Sequence, residues 1–323
     1  MSGQLRVGVV GVGHMGSYHV AALSELLDYE IVAVCDLDEK RAKTIADKYG
    51  TVFFQKPEDM LGSVDAVTIA APTRHHFSVS KLFLQNRVHV LVEKPIANTL
   101  QESKELFEIT KKNKLVLHIG HVERFNGAVQ ELKNIVSNPS LIECRRMGPF
   151  TERVRDDGVV LDLMIHDLDI ILRLMNEKVV SLSAGCSSIQ SQRDDIANVQ
   201  IVFENGCIAN LIASRVTQSK IRTLSISQPD AYITLDYGDQ ELRIQRKASS
   251  EHQLSREDLK YREQSELERL FVHKDNPLKL ELRHFLDSAL ANKVVENPHL
   301  DLFSLEVALQ ILEILEIPAP VSS

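Results

Sequence analysis

Short apolar runs alternate with amphipathic stretches through residues 1–121. The runs predict buried strands, which span 5–10, 30–35, 52–54, 65–70, 88–92 and 115–119. Between the runs, apolar residues recur at helical spacing, which predicts helices over 16–27, 38–48, 57–61, 75–86 and 100–113. Strands that alternate with helices in this way predict a parallel, doubly wound sheet with helices on both of its faces.

The pattern changes after about His121, where a helix (123–137), a strand (near 140–147) and a helix that starts near Val160 are predicted. Strand-like runs with short turns between them then predict an open, mostly antiparallel sheet. These runs span 179–190, 196–204, 206–216, 220–227, 230–236 and 240–245. One face of this sheet lacks enough helices to cover it, and self-association is the simplest way to bury that face.

The last part of the chain, residues 246–323, shows a different pattern. Residues 246–275 are charged and poorly periodic, which predicts an excursion or a mobile loop. Two amphipathic helices are expected after it, over about 277–291 and 301–316.

Composition excludes several classes of protein. The 323 residues are 44% hydrophobic and 25% charged, with a net charge of −8, as in an ordinary globular protein. Because the chain has no basic tract, nucleic acid is not an expected partner. Apolar runs of membrane-spanning length and a signal-peptide pattern are missing, and the four cysteines are scattered. We therefore expect a cytoplasmic protein with reduced thiols and no membrane partner.

The richest motif follows the first predicted strand, where Gly11-x-Gly13-x-x-Gly16 opens a helix. Gly11 permits a tight turn, Gly13 lets the backbone approach a pyrophosphate, and Gly16 lets the helix pack on the strand. His14 and Met15, inside this loop, are expected to contact the same ligand. The alternative is a glycine-rich turn without a ligand.

Asp36 lies 20 residues beyond Gly16, at the end of the second apolar run. A carboxylate at this spacing binds ribose hydroxyls and repels a 2′-phosphate, which favours NAD over NADP. Arg41 is close enough in sequence to oppose that preference. Together these motifs predict a Rossmann dinucleotide-binding domain over 1–121, followed by an α+β domain over 122–323 for substrate binding and oligomerisation.

Two more segments follow predicted parallel strands, at the sheet edge where ligands bind. The first contains Pro72, Thr73 and His76, expected near the dinucleotide. The second is Glu93-Lys94-Pro95, where proline ends a strand and fixes Lys94 in extended geometry. Glu93 and Lys94 are likewise expected to bind the cofactor. The alternative for Lys94 is a solvated loop lysine.

Asp162, His166 and Asp169 fall on one stripe of an otherwise apolar helix. A polar stripe on so apolar a helix must face a cavity or a partner. Asp162 and His166 at this spacing can share a proton or orient a substrate hydroxyl, although a structural pair is the alternative. His118, His121 and Glu123 complete no metal-ligand set with them, so no metal is predicted.

Cationic and amide side chains near the domain junction are candidates for substrate binding. Arg124 and Asn126 could hold phosphate or sugar oxygens, and Arg153 and Arg155 precede the apolar helix. For each arginine, a local salt bridge is the alternative.

Taken together, these segments resemble the Gfo/Idh/MocA family of nicotinamide-dependent sugar and polyol oxidoreductases. The resemblance implies that Lys94, Asp162 and His166 form the catalytic set, with NAD as cofactor. It also implies a homodimer or homotetramer that assembles through the open sheet.

Within the family, residues 121–126 are most similar to the UDP-N-acetylglucosamine 3-dehydrogenases of lipid A synthesis, although Gly127 replaces their usual proline. This implies oxidation at C3 of the sugar and a possible aminotransferase downstream. The alternatives are a free-sugar, polyol or inositol dehydrogenase and, from another class, a non-catalytic NAD-binding regulator. A regulator need not retain Lys94, Asp162 and His166, all of which are present.

Overall fold

The computed structural model describes residues 4–151, 157–247, 265–294 and 298–317. The chain divides into two compact units, of which the first comprises Met1–Phe125 and Asp275–Ser323 and the second Asn126–Lys274. The first break lies close to the boundary expected after residue 121. The last two helices, however, belong to the first unit, whereas the boundary predicted from the sequence places them in the second domain.

The described residues form eight α-helices. These are α1 (His14–Ser24), α2 (Glu39–Tyr49), α3 (His76–Gln85), α4 (Leu100–Asn113), α5 (Gly127–Ile135), α6 (Ile165–Met175), α7 (Pro277–Leu290) and α8 (His299–Ile314). No described helix has both the length and the apolar character needed to cross a membrane.

The first unit contains a six-stranded sheet in which every pairing is parallel. Its strands are β1 (Leu5–Val10), β2 (Tyr29–Cys35), β3 (Val52–Phe54), β4 (Ala66–Ile69), β5 (His89–Glu93) and β6 (Leu117–Gly120). Their order is β3-β2-β1-β4-β5-β6. The direction of winding therefore reverses between β1 and β4, and an open α/β sheet binds its ligand at this point. The predicted doubly wound sheet is confirmed.

Helix α7 belongs to the first unit because its apolar stripe completes that unit's core. Leu282 and Phe285 are fully buried in one cluster with Val9 of β1 and Leu23 of α1. At the rim, Lys279 Nζ lies 3.0 Å from a carboxylate oxygen of Glu25 on α1. An amphipathic pattern shows that a helix buries one face, but it does not show which sheet receives that face.

The second unit contains an eight-stranded sheet. Its strands are β7 (Leu141–Met147), β8 (Val179–Ser187), β9 (Ile196–Phe203), β10 (Ile208–Ser214), β11 (Ile221–Gln228), β12 (Ala231–Asp236), β13 (Glu241–Lys247) and β14 (Ser265–Leu270). Their order is β14-β13-β12-β11-β7-β10-β9-β8. Among the described strands of this second sheet, only the β7–β10 pairing is parallel. The predicted open, mostly antiparallel sheet is confirmed.

Strand β14 corrects the expectation of an irregular segment over 246–275. Residues 265–270 pair antiparallel with β13 at the edge of the sheet, while 248–264 lie outside the described residues. The segment is too charged to show a strand pattern. Its charges instead pair across the strands, with Arg269 Nη2 3.0 Å from Glu241 and Arg246 Nε 3.6 Å from Glu268.

A buried ion pair joins α6 to the second sheet. Arg146 of β7 donates two hydrogen bonds to Asp167, at 2.9 and 2.8 Å, and the two side chains are 2% and 3% exposed. The Arg146 guanidinium also lies over the ring of Tyr237, 4.7 Å from its centroid. Removing one partner would leave the other as an unpaired buried charge. Such a pair therefore fixes the orientation of the helix more than it adds net stability.

Candidate functional site

The glycine-rich loop after β1 has the geometry that its sequence predicts. Gly11 has a φ of +81°, and a Cβ there would lie 2.6 Å from the Ala71 nitrogen. At Gly16 a Cβ would lie 1.7 Å from the Gly11 oxygen, so no larger residue fits between α1 and β1. At Gly13, by contrast, the nearest atom to such a Cβ is 3.9 Å away. Two glycines therefore permit close packing, while the third leaves open space for a ligand.

The start of α1 presents the remaining loop residues. His14 and Met15 are exposed, and the cap residue Gly13 provides no side-chain hydrogen bond to the helix. The first N–H groups of a helix attract anions when no side chain caps them. This end of α1 therefore fits a pyrophosphate.

Asp36 is held beside the glycine-rich loop at the end of β2. Its carboxylate accepts hydrogen bonds from the backbone N–H of Val12, at 3.0 Å, and of Asp38, at 2.9 Å. Arg41 Nη1 lies 3.2 Å from the same carboxylate. Asp36 thus occupies the place that a ribose-binding carboxylate needs, and Arg41 partly neutralises its charge.

The predicted cofactor residues after β4 differ in their exposure to solvent. Pro72 is exposed and Thr73 partly exposed, at the start of a 3₁₀ turn over Thr73–His75. His76 is 1% exposed. Its ring nitrogens lie 2.7 Å from the Pro95 oxygen and 2.8 Å from the Ala71 oxygen. His76 therefore contacts the backbone of two loops at this sheet edge.

Glu93 and Lys94 end β5 at the same edge. Glu93 is 8% exposed, and its carboxylate accepts the Lys94 backbone N–H at 3.2 Å. His19 Nε2 of α1 lies 3.0 Å from the other carboxylate oxygen. Burial by itself raises the pKa of Glu93, but His19, Lys94 and His76 outweigh it, so the pKa lies below its usual range. Glu93 is therefore a buried carboxylate, whereas the Lys94 side chain beside it is partly exposed.

In the second unit, Asp162 and His166 share a face of one helical segment. A π-helical turn over Val160–Met164 leads directly into α6, and π turns are frequent at functional sites. Asp162 and His166 are partly exposed, whereas Leu161, Met164 and Ile165 are buried. Asp169 departs from the predicted stripe, since it is 1% exposed and accepts a hydrogen bond from Arg173 at 3.3 Å.

Asp194 holds the start of this segment and was not identified from the sequence. Its carboxylate accepts the Val160 N–H at 2.9 Å, and burial raises the pKa of Asp194. A Cβ on Gly158 would lie 1.5 Å from the Asp194 Oδ1 atom. The glycine before the apolar run was the available signal, because it marks a close approach.

The neighbouring Asp195 anchors the same region. It accepts hydrogen bonds from Arg215 Nε, at 2.7 Å, and from the Ser191 hydroxyl, also at 2.7 Å. Burial would raise the pKa of Asp195, but these bonds hold it well below its usual range. Arg215 also donates to the Asp157 oxygen, which precedes the π-helical turn.

The structure gives Arg124 and Asn126 contacts within the protein. Arg124, in the first unit, donates to Asp301 of α8 at 2.8 Å. Asn126, in the second, is 1% exposed, caps α5 through the Ala128 N–H and donates to the Tyr237 oxygen at 3.0 Å. A role toward substrate stays a prediction for both. Arg153 and Arg155 lie outside the described residues.

Gly127, which departs from the proline usual in the group that this motif resembles, has a structural reason in this chain. A Cβ at this position would lie 2.5 Å from the His273 oxygen. The close approach of this backbone segment therefore requires glycine here.

Among the residues that the structure describes, no group of three or more His, Cys, Asp or Glu side chains is arranged to hold a metal.

Comparison with known proteins assigns the chain to a family. The model of the oxidoreductase family with an NAD-binding Rossmann fold matches residues 5–121, and that of the GFO/IDH/MocA C-terminal domain matches 123–233. The chain belongs to the GFO/IDH/MocA family. It is accordingly an NAD-dependent dehydrogenase that acts on a CH–OH group.

Individual relatives cover most of the chain. A UDP-N-acetylglucosamine 3-dehydrogenase of Acidithiobacillus ferrooxidans is 36% identical over 74% of this chain and 76% of its own. A crystal form of that enzyme superposes with a TM-score of 0.86 and 30% identity, over 97% of this chain and 98% of the other. A myo-inositol 2-dehydrogenase of Thermotoga maritima is 27% identical over 65% of this chain and 69% of its own.

The residues present fit the NAD that the family uses. The open space at Gly13 and the uncapped start of α1 suit the pyrophosphate, and the fixed carboxylate of Asp36 suits a ribose. When bound, the cofactor accepts a hydride from the carbon that is oxidised.

Cofactor choice provides the first test. We expect NAD(H) to bind at least about tenfold more tightly than NADP(H), because the Asp36 carboxylate repels a 2′-phosphate. Asp36→Ala should narrow this gap. Asp36→Asn is the matched control, since its amide oxygen can still accept the Val12 N–H while the charge is lost. Equal calorimetric affinities of the wild-type protein for the two cofactors would contradict the assignment.

Proposed function

We propose that this enzyme oxidises a ring hydroxyl of a nucleotide sugar to a ketone, and that the substrate is UDP-N-acetylglucosamine, oxidised at C3. The observation that carries the proposal is the similarity to the Acidithiobacillus ferrooxidans enzyme, at 36% identity over 74% of the chain. The likeness of residues 121–126 to the same group supports it. A 3-keto product suits an aminotransferase, which would place the reaction in diamino-sugar synthesis for lipid A.

The proposed catalytic set is Lys94, Asp162 and His166, by resemblance to the family. His166 takes the hydroxyl proton, since an imidazole exchanges protons near neutral pH. The Lys94 ammonium stabilises the negative charge that develops on the oxygen as the carbonyl forms. Asp162 orients the sugar hydroxyl. The partial exposure of all three side chains supports this assignment.

Binding of a UDP-sugar requires donors for a diphosphate. We propose Arg124, Asn126, Arg153 and Arg155 for this role. The Arg124 side chain is 21% exposed, and its partner Asp301 is 19% exposed. Because a partly exposed ion pair contributes little net stability, a diphosphate can replace the carboxylate at small cost.

The second candidate function is oxidation of inositol, a polyol or a free sugar on the same scaffold. The similarity to the Thermotoga maritima myo-inositol 2-dehydrogenase favours it. Such an enzyme needs no diphosphate site, so Arg124→Ala would leave its turnover almost unchanged. A non-catalytic regulator is less favoured, because all three predicted catalytic residues are present.

Substrate identity is tested by NADH formation. With NAD⁺ and UDP-N-acetylglucosamine we expect NADH to appear, and to accumulate further when the ketone is trapped with an amine reagent. UDP-glucose, free N-acetylglucosamine and myo-inositol are the matched comparisons. Rapid NADH formation with inositol or a free sugar, and none with any UDP-sugar under trapping, would establish the alternative.

Substitution of the proposed catalytic residues tests the mechanism. Lys94→Ala and His166→Ala should each lower kcat by about 10²-fold or more while NAD binding persists. Lys104→Ala, on the exposed face of α4, is the control. If His166 is the base, His166→Ala also removes the acidic limb of the kcat–pH profile, whereas Lys94→Ala retains it. Turnover of either variant near the wild-type rate would remove that residue from the mechanism.

We also propose that the protein is a homodimer or homotetramer assembled through the open face of the second sheet. Along β7 the side chains alternate, so that Arg146 is buried against α6 while Glu143 and Arg145 are exposed on the opposite face. These two residues line a cavity of about 480 Å³ with Thr223, Ser225, Tyr232 and Arg243, among others. Charges of both signs on one face suit a two-fold contact, in which each patch meets its own copy.

Light scattering at micromolar concentration tests the assembly. We expect at least a dimer for the wild-type protein. Arg145→Glu should weaken the association because the substitution leaves like charges opposed, whereas Lys43→Glu, at an exposed position of α2, should not. A wild-type monomer under these conditions would contradict the proposal.

A further inference from the structure

His76 bridges two loops that follow neighbouring parallel strands. One nitrogen lies 2.8 Å from the Ala71 oxygen, just after β4. The other lies 2.7 Å from the Pro95 oxygen, just after β5. The imidazole is 1% exposed, so water does not compete freely for these contacts.

Backbone carbonyl oxygens accept hydrogen bonds and cannot donate them. A neutral imidazole carries one N–H, so it can donate to only one of two carbonyls, and its bare nitrogen would face the other. Only the doubly protonated ring donates to both. We infer that His76 is an imidazolium cation that clamps the Ala71 loop to the Pro95 loop. It thereby positions the two loops that follow β4 and β5 at the sheet edge where the cofactor is proposed to bind. The short contacts fit this state, because hydrogen bonds from charged donors are shorter than neutral ones.

A buried cation needs a counter-charge, and Glu93 provides it. Glu93 ends β5 two residues before Pro95, and the charge of His76 is one of the influences that lower the pKa of this buried carboxylate. The other charged or titratable groups nearby are His19 of α1, which bonds Glu93, Lys94, and the pair Arg74 and His75 in the turn before α3. The Lys81–Glu105 pair joins α3 to α4.

The clamp joins two loops that carry residues proposed to bind the cofactor. Thr73 lies two residues beyond Ala71, and Lys94 lies directly before Pro95. Loss of a proton from His76 breaks one hydrogen bond and sets a lone pair against a carbonyl oxygen. The two loops then separate, and NAD affinity falls as the pH rises. His76 is accordingly a positioning residue, and its effect depends on its charge.

The charge state can be measured directly by NMR of the protein labelled with ¹⁵N-histidine. At pH 7.5 an ordinary histidine, with a pKa of about 6.5, is roughly nine-tenths neutral. We expect the His76 ring to show protons on both nitrogens at this pH, with its signals assigned from their loss in His76→Gln. A neutral His76 ring at pH 7.5 would overturn the inference, and the charge state itself is read from the wild-type protein.

Cofactor binding gives the second readout. His76→Gln keeps a single donating nitrogen, so we expect NAD affinity to fall by about tenfold or more at pH 7. The affinity of the variant should also vary less between pH 7 and 10 than that of the wild type. His75→Gln, the neighbouring histidine, is the matched control and should retain wild-type affinity and pH dependence. Equal pH dependence in wild type and His76→Gln would show that His76 is only structural.

Discussion

The first unit depends on how closely its backbone segments approach one another at the carboxyl edge of the sheet. Gly11 donates its N–H to the Cys35 oxygen at 2.8 Å. A Cβ on Gly11 would lie within 2.8 Å of backbone atoms of Ala70 and Ala71, so there is no room for a side chain. The ends of β1, β2 and β4 are thereby drawn together at one point. Because these strands are parallel, the residues that follow them share one edge, and the residues predicted to bind the cofactor come from loops far apart in sequence.

Buried carboxylates directly flank the proposed catalytic side chains in both units. Glu93 precedes Lys94 and is held by His19, while Asp167 follows His166 and is held by Arg146. A buried charge is costly unless its partner has one well-defined place, so each pair fixes the backbone to which it belongs. The backbone of the adjacent residue, Lys94 or His166, is fixed as well, while its own side chain remains partly exposed. The same physical arrangement thus serves two unrelated architectures.

The sequence was sufficient to predict the parts of the structure that arise from local periodicity. Buried strands such as β1 and β9 have continuous or alternating apolar patterns, and the polar positions of Asp162 and His166 stand out on an apolar helix. Contacts between distant segments left no such pattern. His19 and Glu93 are 74 residues apart, and Asp194 meets Val160 over 34 residues. Strand β14 and the placement of α7 likewise depend on partners rather than on the segments themselves.

The expected preference for NAD over NADP depends on two side chains of opposite charge, Asp36 and Arg41. The Arg41 guanidinium lies 3.2 Å from Asp36, and an arginine in this loop would by itself attract a 2′-phosphate. The Arg41 side chain is 49% exposed, however, whereas the Asp36 side chain is 9% exposed, so solvent screens the charge of Arg41 more strongly than that of Asp36. A phosphate about 4 Å from a carboxylate near a protein surface is repelled by about 4 kcal/mol per pair of unit charges. The Val12 N–H holds the carboxylate in place, so the phosphate cannot avoid this repulsion by displacing it. We therefore expect the repulsion from Asp36 to exceed the attraction to Arg41, so that the site accommodates the 2′-hydroxyl of NAD.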